Sequence, residues 1–121
     1  REVAVGGLQS AEERKIVMAL TRNFKDTVRA RVQADPAFRS ALLTEAVNAF
    51  LLGDIDTGKA VLRDYIKATV GFEELAEQTG RPSKSLMRMF SPAGNPAADN
   101  LFSVISTLQR ASGVTLEVRA A

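Results

Sequence analysis

Apolar residues recur with helical spacing along most of this chain. From Thr21 onward, Phe24, Val28 and Val32 stand four apart while Arg22, Lys25, Arg29 and Arg31 occupy other faces, which predicts a short amphipathic helix. Asp35-Pro36 then reads as an N-cap followed by a proline at the first helical position, where a missing N–H costs nothing. Phe38, Leu42, Leu43, Ala46, Val47, Phe50 and Leu51 continue that helix, and Gly53 supplies its stop. Asp56 predicts the cap of the next helix, with Val61, Leu62, Tyr65, Ile66 and Val70 on its apolar side and an end near Gly71. Gly53, Asp54, Asp56 and Gly58 make the connection a tight turn between antiparallel helices.

Two very short helices follow, Phe72 to Thr79 and Ser83 to Phe90, with Gly80-Arg81-Pro82 as the break. Ser91-Pro92-Ala93-Gly94 predicts a loop, and Asn95-Pro96 repeats the cap-then-proline signal. Leu101, Val104, Ile105 and Leu108 give the last helix its core stripe, and Gly113 ends it. Val114, Leu116 and Val118 then alternate with Thr115, Glu117 and Arg119, a period of two that predicts a β-strand. A lone strand leaves backbone groups unpaired, so its partner would come from a second copy or another protein; a tail packed on a helix is the other reading.

The fold class expected is mainly α: a multi-helix domain with one short C-terminal β-strand. Residues 1–17, with Gly6-Gly7 and a capping-box pattern at Ser10 and Glu13, form an N-terminal arm or extension, and Met18 is an alternative starting point. Residues 18–70 form a helical N-terminal region that makes one compact domain with residues 71–121.

With 121 residues, 45% of them apolar and 25% charged, the chain has the material for one core. It has no cysteine and no histidine, which removes thiolate nucleophiles, disulfides, thiolate zinc sites, the usual general base and the commonest metal ligand. Its serines and threonines have no base marked beside them, so an enzyme is not expected, and neither are a cofactor, a metal or a small-molecule substrate. Apolar runs such as Ala49-Phe50-Leu51-Leu52 fall far short of the ~20 residues of a membrane span, and no signal-peptide core is visible. A soluble, cytoplasmic protein without membrane contact is the expectation. Net charge is only +2, but no acidic residue lies between Glu77 and Asp99, whereas Arg81, Lys84 and Arg88 do. That predicts a local positive patch.

The same segment has the spacing of a DNA-binding helix-turn-helix. Two helices crossing steeply through a short turn need a small residue where the second lies against the first, supplied by Ala76. The turn needs a residue that tolerates positive φ, supplied by Gly80. The second helix needs an apolar side chain facing back, supplied by Leu86, with Leu75 and Met89 completing the small core. In that register Ser83, Lys84, Ser85 and Arg88 face outward, and arginine and lysine can donate to guanine O6 and N7 in the major groove. Arg81 and the N–H groups around Gly71 and Phe72, at the start of the first helix, suit phosphate.

The stretch from Leu62 to Val118 resembles the addiction-module antidote proteins, Xre/Cro-type helix-turn-helix regulators encoded beside toxins of the RelE/HigB kind. The resemblance rests on Leu62-Arg63-Asp64-Tyr65-Ile66, Gly71-Phe72-Glu73-Glu74-Leu75-Ala76, Lys84-Ser85-Leu86-Met87-Arg88-Met89, Gly94-Asn95-Pro96 and Asn100-Leu101-Phe102. Met18 to Arg22 and Phe38 to Leu43 are similar to the N-terminal half of that group. The resemblance implies base reading by Ser83, Lys84 and Arg88, with Ser85 nearer the backbone. It also implies neutralisation of a cognate toxin and repression of the chain's own operon, and a homodimer on operator DNA is expected. Thr79 and Arg81 depart from the pattern, standing where such units more often carry apolar residues. The rival expectation is a non-enzymatic interaction module that uses the helix pair as scaffold and covers a partner with residues 21–70 or with the strand Val114, Leu116 and Val118.

Two other patterns carry less. Gly53 to Lys59 has the glycine and lysine spacing of a phosphate-binding loop, but Ala60 stands where a Ser or Thr must hold Mg²⁺, and Asp54 and Asp56 repel phosphate. Glu73, Glu74 and Glu77 read as the solvated acidic start of a helix rather than as metal ligands.

Overall fold

The computed structural model describes Thr27 and residues 29–121. The arm at 1–17, Met18, the Ser10 capping box and the start of the first helix lie outside the described residues. Residues 29–34 are helical, and five helices follow: α1 (Pro36–Leu51), α2 (Ile55–Ala68), α3 (Gly71–Thr79), α4 (Ser83–Met89) and α5 (Ala98–Ser112). The expected mainly helical class holds.

Asp35 caps α1 as its sequence predicts, its carboxylate accepting from the N–H groups of Ala37 (3.0 Å) and Phe38 (3.3 Å), with Pro36 opening the helix. Arg31 stacks over the Phe38 ring and pairs with Asp35, tying the helical residues 29–34 to this junction. Leu43, Ala46 and Ala49 turn inward, and the chain leaves α1 through Gly53 at φ 84°. The cap of α2 is Asp54, which accepts from Thr57 N–H, and not the expected Asp56. The helix therefore starts at Ile55, and the exposed Asp56 sits in its first turn, where a carboxylate suits the helix dipole.

α1 packs along α2, and α3 touches α2, α4 and α5. Leu62, Tyr65 and Ile66 of α2, Phe72 and Leu75 of α3, Leu86 of α4 with Phe90 just after it, and Val104, Ile105 and Leu108 of α5 share one core with Leu43 and Ala46. Core-facing positions on five helices thus come from the apolar stripes visible in the sequence. α5 begins at Ala98 after an uncapped Ala97, two residues beyond Pro96, so Asn95-Pro96 belongs to the preceding loop rather than to a cap.

The C-terminal strand expected at Val114, Leu116 and Val118 is not formed: residues 114–120 have no regular secondary structure, and no strand occurs among the described residues. The segment satisfies its backbone on the preceding helix instead. Gln109 takes the Val114 N–H on its carbonyl (3.1 Å) and the Leu116 N–H on its side-chain oxygen (2.8 Å). Val114 is buried in the core and Leu116 packs against it, while Val118 is exposed. The alternation is thus that of a tail with one face on the core, so a period of two does not by itself require a ladder.

Candidate nucleic-acid interface

The positive segment between Glu77 and Asp99 takes in the last two residues of α3, a tight turn, α4 and the loop before α5. Gly80 ends α3 in the left-handed conformation (φ 72°, ψ 20°), and its N–H and that of Arg81 both donate to the Ala76 carbonyl. An L side chain at Gly80 would meet no steric obstacle but would strain the backbone, so the glycine is there for its φ. Pro82 is itself extended (φ −62°, ψ 141°), and α4 begins at the next residue, Ser83. Leu75 and Leu86 are fully buried against one another's helices, Ala76 is half-buried and Met89 packs on the same core. Of the five residues expected to hold this helix pair together, Leu75 and Leu86 are buried, Ala76 and Met89 are half-buried, and Gly80 ends α3.

The two polar departures in this unit have local partners. The Thr79 hydroxyl donates to the Leu75 carbonyl one turn back (2.8 Å), so it satisfies itself within its own helix. Arg81 reaches across to α5, its Nε donating to Asn100 Oδ1 (2.8 Å) and its Nη1 lying 3.4 Å from the Thr79 carbonyl. Arg81 is therefore a brace between the turn and α5, which a free surface cation would not be.

On α4, Leu86 points inward, whereas Lys84, Met87 and Arg88 are exposed and share one face at three- and four-residue spacing. Neither Lys84 nor Arg88 has a hydrogen bond or ion pair with its side chain among the described residues. Ser83 is less free: its hydroxyl approaches Glu73 Oε2 at 3.4 Å, which turns it back towards α3. Ser85 is half-buried. At the start of α3, Gly71 (φ 79°) and Phe72 present backbone N–H groups that no side chain caps, with Glu73 and Glu74 in the same turn. The structure thus brings Lys84 and Arg88 together, holds Ser83 and Arg81 on partners of their own, and places Val114 and Leu116 on the shared core and Val118 in the exposed tail after α5.

What holds α4 in place was not legible in the helix pair itself. Lys59 of α2 is 3% exposed, and its ammonium donates to the carbonyls of Ser91 (3.0 Å), Pro92 (3.2 Å) and Gly94 (2.6 Å). One turn further along α2, Arg63 Nη1 donates to the Phe90 carbonyl (2.8 Å). Two cations spaced i, i+4 therefore bind the carbonyl-rich C-terminal end of α4 and the loop after it, where the helix dipole favours positive charge. Gly94 completes the contact, because a Cβ there would run into the main-chain carbonyls of Arg88 and Met89. The lysine that mimicked a phosphate-loop lysine in sequence is thus committed to backbone carbonyls inside the protein.

Elsewhere, a cleft of about 290 Å³ opens beside Val32, Arg39, Thr69 and Ser112. The Arg39 guanidinium bordering it is engaged with the carbonyls of Val32 (2.9 Å), Gln33 (3.2 Å) and Ser112 (3.3 Å), joining α1 to the end of α5. Among the described residues the Tyr65 and Ser112 hydroxyls are buried without a hydrogen bond of good geometry, although the two lie close enough to interact. Burial pushes the Tyr65 hydroxyl above its ordinary pKa, an effect that the nearby Ser112 hydroxyl and then the Arg39 charge partly oppose. Among the described residues no group of acidic side chains converges to hold a metal ion, and no helix is long and apolar enough to cross a membrane. No family model matches the chain, and neither a curated protein nor a solved structure matches it.

Proposed function

We propose that the chain binds double-stranded DNA sequence-specifically, with α3 and α4 serving as an Xre/Cro-type helix-turn-helix and α4 entering the major groove. The observation that carries this reading is the outward face of α4. Lys84 and Arg88 stand one turn apart, exposed and unpaired, on a helix whose opposite face is sunk in the core through Leu86. Cations fixed at such a spacing suit guanine O6 and N7. In this reading Lys84 and Arg88 donate to base edges, and Ser83 joins them when its hydroxyl leaves Glu73. Arg81, Ser85 and the N–H groups of Gly71 and Phe72 take phosphate, Arg81 doing so in a direction set by its bond to Asn100.

The resemblance to addiction-module antidotes extends the proposal. The chain acts in the cytoplasm as a homodimer on two half-sites about 34 Å apart, represses its own operon and neutralises a cognate toxin, without a cofactor and without catalysis. The test is a gel-shift titration against the DNA upstream of its own gene, with scrambled DNA of equal length as competitor at fixed salt. Preference for the upstream DNA is expected. Arg88→Ala should cost about 1–3 kcal/mol and relax one base position, whereas Arg81→Ala should weaken binding evenly across sequences. Equal affinity for both DNAs, or identical uniform losses from both substitutions, removes the reading.

A second reading, an interaction module with the helix pair as scaffold, is favoured by one observation: Leu51, Leu52 and Ile55 are all exposed at the α1–α2 turn. Capture of the neighbouring gene's product with full affinity by Lys84→Ala/Arg88→Ala, together with no DNA preference in the unaltered chain, decides for it.

A further inference from the structure

α4 carries a side chain that neither the core nor a cationic DNA contact explains. Met87 is 45% exposed. The inward positions of α4 are already filled by Leu86 and by Met89, with Phe90 buried immediately after the helix. Met87 lies three residues after Lys84 and directly before Arg88, so it sits within the same outward face as the two unpaired cations. The other exposed large apolar residues lie away from this helix, at the α1–α2 turn (Leu51, Leu52, Ile55), on α5 (Phe102) and in the tail (Val118).

An apolar side chain placed between two cations on a groove-facing helix needs an apolar group to meet. The major groove offers one that projects from a base edge, the C5-methyl of thymine; the groups that otherwise distinguish the base pairs there are hydrogen-bond donors and acceptors. A thioether suits that contact, being flexible, polarizable and only a weak acceptor, so it follows a methyl closely and gains little from a polar edge. We infer that Met87 is a specificity-determining residue that packs on a thymine methyl next to the base pairs read by Lys84 and Arg88. This rests on the DNA-binding reading above and adds to it a base preference that the cations do not supply.

The test uses the full chain and a random-sequence duplex pool, from which the tightest-binding duplex is selected. Each thymine of that duplex is then replaced singly by uracil, which removes the methyl and nothing else. One replacement is expected to weaken binding about fourfold, the worth of one buried methyl group. The same replacement should have no effect on binding by Met87→Ala and should keep most of its effect with Met87→Leu. Because the change is made in the DNA, altered folding of a variant cannot imitate this coupling. Uracil tolerated at every position, or a methyl effect of equal size in the unaltered chain and Met87→Ala, overturns the role of Met87 while leaving DNA binding intact. A pool that yields no enriched duplex overturns the DNA-binding reading and this inference with it.

Discussion

Replacing Lys59 by methionine tests whether the buried ammonium holds the end of α4 in place. The substitution keeps an unbranched stem of similar volume and deletes the charge and its three donors. All three are in use, on the carbonyls of Ser91, Pro92 and Gly94. The nearest carboxylate, Asp56 at 3.8 Å, has a side chain 91% exposed, so it offers little compensation for burying the cation. The carbonyl dipoles do that instead. Hydrogen bonds to a charged group contribute about 1.5–3 kcal/mol each, against a desolvation penalty of several kcal/mol for the ammonium. Pro92 and Ala93 are exposed, so water can reach part of the loop once the lysine is gone. The net loss should therefore be about 2–3 kcal/mol, close to the cost of one or two stranded carbonyls. In a domain of this size that lowers Tm by roughly 10 °C, and urea unfolding should show the same loss through a lower midpoint at unchanged slope. Asp56→Ala, which removes only the exposed partner, should cost below about 0.5 kcal/mol. A Lys59→Met variant within about 0.5 kcal/mol of the unaltered chain would refute the reasoning, since desolvation would then cancel the three bonds.

Two further outcomes follow from the same geometry. Gly94→Ala should destabilise the fold by about 1–3 kcal/mol, the usual range for forcing extra atoms into a packed site, because its Cβ meets the Arg88 and Met89 carbonyls; urea unfolding checks this. Tyr65→Phe removes a buried hydroxyl that has no hydrogen bond of good geometry among the described residues, so stability near neutral pH should stay within about 1 kcal/mol of the original or rise. Since burial raises the folded-state pKa of Tyr65, its contribution is fully present below the unfolded value of about 10 and is lost as pH climbs through the folded one. Stability should thus fall on the alkaline side in the unaltered chain and fall less in Tyr65→Phe. Tyr65 is the sole tyrosine and there is no tryptophan, so tyrosinate absorbance follows this group directly.

The helices were legible because their signals are local. A cap, a proline or glycine and a stripe of apolar residues all act within a few residues of each other, and Asp35-Pro36 with Leu43 and Ala46 shows how such signals set α1, although Leu51 at the end of the expected stripe is exposed. Adjacent candidates compete where the signals are duplicated. Asp56 reads as the cap, but Asp54, two residues earlier in the same turn, has the carboxylate that reaches the Thr57 N–H and takes the role. The tail misled for a related reason. Alternation reports one buried face and says nothing about what covers it, and here Val114 and Leu116 find α5 and the core instead of another strand.

Of the four residues expected to face outward on α4, Lys84 and Arg88 are exposed, opposite the buried Leu86, whereas Ser83 and Ser85 are half-buried. Met87 was equally readable from that spacing, but a methionine directly after Leu86 and two residues before Met89 passes for core until its exposure is seen. Lys59, Arg63 and Asn100 were out of reach for a different reason. Their partners lie 32 to 35, 27 and 19 residues away, and nothing local in the sequence distinguishes a lysine bound for three carbonyls from one bound for water. The phosphate-loop-like spacing around Lys59 fails on Ala60, Asp54 and Asp56, but nothing there points to the carbonyls that the lysine binds. Its true setting follows only from the tertiary arrangement: α2 passes the C-terminal end of α4, where unpaired carbonyls collect, and a cation buried there has no other way to be satisfied. The pose of the candidate reading helix is thus governed from α2, outside the helix pair, so that substitutions at Lys59 or Arg63 should disturb binding by Lys84 and Arg88 without either side chain touching DNA.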